Sequence, residues 1–149
     1  MTRSTVAIAS SPVRSVLALT VGYFLRDSLI RLGTATIMSL VPAAFPQGVP
    51  APRGSVMILV WSGIAATFGG LATGIIAGRK EVGHAAFLAA IWFIMGVAGI
   101  TLGHQRVSSN VALIVVNMCG AIIGGAFAAR ARRRRAARLG AMRTRSNLP

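Results

Sequence analysis

Hydrophobic positions in this chain come in long unbroken runs instead of the alternating or heptad patterns of soluble domains. Val56 to Ala77, Ala85 to Gly103 and Val111 to Ala129 contain no charged residue. An α-helix needs roughly 20 apolar residues to cross about 30 Å of hydrocarbon, and each run is close to that length. A membrane β-strand would alternate over about ten residues, and a strand outside a closed barrel would leave its backbone groups unsatisfied in lipid. The runs therefore predict helices over 56–78, 85–103 and 110–129.

A further helix is predicted over 13–41. Ser11 before Pro12 reads as an N-cap followed by proline at the first helical position, and Pro42 stops the span. Arg26, Asp27 and Arg31 divide it into two apolar pieces, Val16 to Leu25 and Leu32 to Val41, each too short to cross alone. A signal peptide or an interfacial helix that leaves three spans are the alternatives here. The expected fold class is all-α, an integral membrane bundle of four transmembrane helices. It forms one domain over 1–129, followed by an Arg-rich tail over 130–149.

The connections read differently from one another. Pro42, Pro46, Pro50 and Pro52 suit an extended loop, the GRKEVG stretch over 78–83 a tight turn, and 103–110 a short polar turn. His84 and His104 are read as loop residues at opposite ends of the bundle.

Composition agrees with lipid as the solvent: 54% of residues are hydrophobic, 12% are charged and the mean hydropathy is +0.71. A formal charge of +14 would by itself suggest nucleic acid, but its placement suggests topology. Arg3, Arg14, Arg79, Lys80 and the eight arginines after residue 129 make twelve on one side, against Arg53 and Arg106 on the other. The excess of basic residues marks the cytoplasmic side, so both termini are expected there, in a membrane of the bacterial inner type.

Small residues recur at helical spacing. Gly63, Thr67, Gly70, Gly74 and Gly78 are four, three, four and four apart, so they share one face. Gly96, Gly99 and Gly103 continue a stripe from Ala85 and Ala89, and Gly120, Gly124 and Ala128 form another. Lipid supplies no hydrophobic drive between helices, so close backbone approach at small residues is what lets them associate. These glycines are the candidate packing residues, within the chain or toward another.

Thr20, Tyr23, Asp27, Arg31 and Thr34 form a polar stripe on the first helix. Asp27 precedes Arg31 by one turn, the favourable order for a helical ion pair. Charge inside a membrane is costly and faces protein, water or an opposite charge. Tyr23, Arg26, Asp27, Arg31 and Asn117 are therefore the candidate buried polar cluster, with Asp27 and Arg31 as its buried pair. Arg26, about 100° away round the helix, must snorkel, join the network or meet another chain. Asn117 is placed at the depth of Arg31 and on the face of Gly120.

Asp27 and Glu81 are the only side-chain acids, one in a span and one in a turn, which excludes paired-carboxylate catalysis. Cys119 is the single cysteine, and neither a metal site nor a cofactor is expected. The tail's Arg130, Arg132, Arg133, Arg134, Arg135 and Arg138 are expected to contact anionic lipid of the inner leaflet. The tail has no aromatic side chain for bases to stack on, which argues against nucleic acid.

The stretch from Gly69-Gly70 through Ala77-Gly78-Arg79-Lys80-Glu81-Val82-Gly83-His84-Ala85 resembles the second-helix and inner-loop signature of small uncharacterised bacterial four-helix membrane proteins. The resemblance implies a four-span bundle with this loop inside and lends no activity. The expected function is a membrane accessory, assembly or stabilising subunit acting through glycine-mediated packing, not an enzyme. Its expected partner is another membrane protein or a second copy. The alternative is a small channel or transporter with an anion or proton path along the first helix's polar stripe.

Overall fold

In the computed structural model, which describes residues 12–78, 80–102 and 107–146, helices stand where the hydrophobic runs predict them. They are α1 (Pro12–Leu40), α2 (Pro52–Ala77), α3 (Glu81–Thr101) and α4 (Val107–Ser146). Among the described residues, three helical segments are long and apolar enough to cross a membrane: Pro52–Ala77, Glu81–Thr101 and Asn110–Met142. α1 has the length, but Arg26, Asp27 and Arg31 interrupt it, and it is not one of those three segments.

Two connections differ from the expectation. The proline-rich segment is folded, not extended. Pro42–Ala44 and Pro46–Gly48 form short 3-10 turns, Ala44 and Phe45 are buried, and Ala51 donates its N–H to the Ala44 carbonyl at 3.0 Å. Pro52 belongs to α2, where it takes a first-turn position that needs no N–H partner. At the other end Gly78 terminates α2 in the left-handed conformation (φ 68°), which glycine adopts without a Cβ penalty. Lys80 is also left-handed (φ 52°), and α3 begins at once with Glu81. His84 therefore lies in the first turn of α3, not in a loop. Arg79, Gly103, His104 and Arg106 lie outside the described residues.

Side-chain contacts fix an up-down-up-down order. α1 runs antiparallel to α2: Arg14 Nε donates to the Ile76 carbonyl at 2.6 Å, Thr73 Oγ1 to the Ala18 carbonyl at 3.2 Å and Trp61 Nε1 to the Leu29 carbonyl at 2.8 Å. α3 runs antiparallel to α4, with Ala85 beside Gly125 and Gly96 beside Ile114. α2 and α4 run parallel, Gly63 meeting Val116 and Gly74 meeting Ala128. One end of the bundle therefore holds Lys80 and the arginine-rich part of α4, and the other holds the proline-rich loop.

The adjacent glycines show why the bundle closes so tightly. Successive helical residues point about 100° apart, so a Gly-Gly pair can serve two neighbours. A Cβ on Gly69 would meet the Gly22 carbonyl of α1, whereas one on Gly70 would enter the Ala121 backbone of α4. Gly124 faces Thr67 and Leu71 of α2, and Gly125 faces Ala85 of α3. Gly120 lies against Gly63 and Ala66. Gly63, Gly70, Gly74, Gly96, Gly120 and Gly124 thus pack inside the chain, and Gly99 is half-buried in α3. Ala66, Leu88, Ala89, Trp92 and Ala121 form the core.

α4 continues unbroken through the predicted boundary at Ala129. Its 40 residues span about 60 Å at roughly 1.5 Å per residue, so the arginine tail is a helical extension of the bundle.

Candidate functional site in the helix bundle

The polar residues of α1 separate into two groups on different faces. Arg31 Nε lies 2.8 Å from Asp27 Oδ2, so the i, i+4 pair forms, but the Arg31 side chain is 80% exposed and that of Asp27 35%. The pair points away from the other helices and is not the buried pair that the stripe predicts. Arg26 is the inward residue. Its Nε–H donates to Asn117 Oδ1 of α4 at 3.4 Å, and its guanidinium carbon is 4.8 Å from the centroid of the Trp92 ring of α3, within cation–π range. Ser62 of α2 donates to the same Asn117 oxygen at 3.0 Å, and Asn117 Nδ2 donates to the Leu113 carbonyl of its own helix at 2.6 Å. Asn117 thus joins three helices, but at the depth of Arg26 rather than Arg31.

The face of α1 that packs on α2 is set by size, not polarity. Ala18, Gly22 and Gly33 are its buried residues, and Arg26 follows Gly22 by one turn. Gly22 admits the Thr73 hydroxyl and Gly69 carbonyl, and Gly33 admits the Trp61 indole. Both tryptophans thus serve helix packing. Gly22, Gly33, Gly69 and Gly125 are not among the packing glycines that the sequence spacing picks out, although the 18-22-26 spacing and the Gly-Gly pairs carry the signal.

Arg26 stands in a cleft of about 300 Å³ lined by all four helices. Tyr23, Arg26, Ser62, Trp92 and Asn117 lie at one level; Ile30, Ile58, Met95 and Asn110 continue the wall toward the proline-loop end. Asp27 and Arg31 are not among its lining residues, so of the polar stripe Tyr23 alone faces this cleft. Among the described residues no carboxylate lies within ion-pair distance of Arg26, and its terminal nitrogens and the Tyr23 hydroxyl make no hydrogen bond. Trp92 Nε1 is buried without an acceptor, whereas Tyr23 and Arg26 are half-buried.

A second polar group closes the basic end. Glu81, with a side chain only 7% exposed, is paired at 2.8 Å with Nε of Arg132, and Arg132 also donates to the Gly78 carbonyl. Arg14 and Arg132 together satisfy carbonyls at the C-terminus of α2, where helices leave acceptors unpaired and favour positive charge. His84 bridges the Lys80 carbonyl at 3.1 Å and the Ser15 hydroxyl at 3.0 Å. Arg132 is therefore engaged by the bundle, whereas Arg130, Arg133, Arg134, Arg135 and Arg138 are exposed.

The fold defines the class: an all-helical protein with three helices apolar enough to cross a membrane and an arginine-bearing cleft among them. The chain matches no family model, and neither a curated protein nor a solved structure is significantly similar to it.

Proposed function

We propose that this is a four-span integral membrane protein of the bacterial inner-membrane type, with both termini cytoplasmic. Its role is that of an accessory or assembly subunit that holds another membrane-spanning chain against α1. The fourth span is supported by the way α1 lies along α2 from Arg14 at Ile76 to Gly33 at Trp61. α1 thereby shares the depth of a helix with a span's length and apolarity. The orientation is supported by the twelve basic residues against two.

The outward Asp27–Arg31 pair is the observation that carries the role. It sits between the Gly22 and Gly33 contacts, near the middle of α2's length, on the face away from the chain's own helices. A charge at mid-membrane costs about 2.5–3.5 kcal/mol on insertion scales, so such residues are covered by protein or water. A neighbouring span with polar groups supplies that cover. The packing glycines are already used inside the chain, so the docking face moves from the glycine stripes to α1.

Crosslinking in native membranes tests this. In a Cys119→Ala background, Ser28→Cys on the outward face of α1 is expected to give one discrete product, whose mass identifies a second copy or a different chain. The product should vanish when Asp27 and Arg31 are both changed to Leu. Equal crosslinking from Phe93→Cys on the exposed face of α3, or a product that survives the double replacement, overturns the reading.

A further inference from the structure

We propose that the Arg26 cleft is a binding site for an organic carboxylate with an apolar body, independent of what covers α1. Charge is the starting point. An arginine carries five N–H donors and stays protonated in any protein environment. Arg26 uses one of them, on Asn117. Asp27, the acid next to it in sequence, makes its direct contact with Arg31 on the outer face and acts on Arg26 only through space. A half-buried cation among packed helices that has no direct carboxylate partner is unfavourable, and an anion on its free nitrogens relieves that cost.

Shape and polarity narrow the anion. A volume of about 300 Å³ is at the lower end of small-molecule pockets, roughly 300–1,000 Å³. Its donors, the Arg26 guanidinium and the Tyr23 hydroxyl, come from residues one turn apart on α1 that both line the cleft. Toward the proline-loop end, Ile58, Met95 and Leu113 make the wall apolar, and Asn110 is occupied by the Gly96 carbonyl at 3.3 Å. A planar carboxylate matches the guanidinium fork in two hydrogen bonds, and an alkyl body fills the rest. A bare inorganic anion would leave the apolar part empty. A proton path is poorly served by a group that does not titrate, and a cation is repelled by it. Asn117, braced by Ser62, positions Arg26 through Nε and leaves both terminal nitrogens for the ligand.

The test uses the full chain in nanodiscs of zwitterionic lipid, with Trp61→Phe leaving Trp92 as the sole tryptophan. Bromodecanoate, whose bromine quenches indole on contact, is expected to quench Trp92 saturably. Arg26→Gln should weaken this by about thirtyfold or more, the loss typical when one partner of a desolvated charge pair is removed. Arg133→Gln, an equal change of charge on the exposed tail, should leave it unchanged. Equal affinity for bromodecanol, or for bromodecanoate with Arg26→Gln, overturns the proposal. Displacement by millimolar chloride with no dependence on chain length makes it an inorganic-anion site and overturns the organic assignment. If Arg26→Gln does not fold, Arg26→Lys carries the test. It keeps charge without the fork and should bind carboxylate more weakly than the parent but in preference to alcohol; no such preference overturns the proposal.

Discussion

Arg26 and Trp92, on different helices, meet with the guanidinium carbon 4.8 Å from the ring centroid, and no carboxylate among the described residues completes the site. The contact is worth about 2 kcal/mol when desolvated, against several kcal/mol for taking an arginine out of water. Arg26 is therefore expected to destabilise the ligand-free bundle. Arg26→Met, which keeps the stem and removes the charge, should raise the thermal midpoint in detergent, by about 1 kcal/mol of stability. A lower midpoint would make Arg26 a structural strut.

Some glycines face a neighbour's backbone and others face open space, and substitution should separate these two kinds. A Cβ on Gly70 enters the Ala121 backbone, whereas one on Gly83 finds nothing closer than Lys80 Cβ at 3.8 Å. Gly70→Ala should cost about 2 kcal/mol as an overpacked contact. Gly83→Ala should stabilise α3 by roughly 0.5–1 kcal/mol through lost backbone freedom in the unfolded chain. Thermal unfolding of the two variants in one detergent checks the opposite signs.

Helix positions were legible because hydrocarbon thickness imposes a length, and α2 and α3 fall within four residues of the unbroken apolar runs. What the runs could not give is rotation. Polarity alone turns the Asp27–Arg31 stripe inward, yet α1 docks by Ala18, Gly22 and Gly33, and that choice brings Arg26 inside. Close approach at small residues outweighs the pull of a polar stripe because an ion pair can neutralise itself on the outer face, whereas a large residue at Gly22 would part the helices. The Glu81–Arg132 pair was hidden for another reason: its partners are 51 positions apart, and only the fold of α4 along α3 brings them together.

That pair makes one tail arginine unlike its neighbours. Arg132→Gln leaves a carboxylate that is only 7% exposed without its partner. The expected cost is about 2 kcal/mol, below the 3–5 kcal/mol of a fully buried pair because Arg132 is half exposed. Adding Glu81→Gln should restore most of the loss, since both partners are then neutral. Arg133→Gln, with no partner among the described residues, should stay within about 0.5 kcal/mol of the parent. A double-mutant cycle by thermal unfolding measures the coupling, and a value near zero removes the pair's structural role.

The position of α1 in the membrane is decided by the sidedness of its first turn. With α2, α3 and α4 crossing, the proline-rich loop and the arginine tail lie on opposite faces whatever α1 does. If α1 crosses too, its start joins the tail; if it lies along the surface, its start stays with the loop. Arg14 on the Ile76 carbonyl at 2.6 Å and His84 on Ser15 at 3.0 Å tie that start to the basic end. In a Cys119→Ala background, Val13→Cys and Ala136→Cys should react with an impermeant thiol reagent only from the cytoplasmic side of oriented vesicles. Val49→Cys should react only from the other side. Labelling of Val13→Cys together with Val49→Cys would reduce the protein to three spans and expose Asp27–Arg31 to water, so that the pair would need no partner.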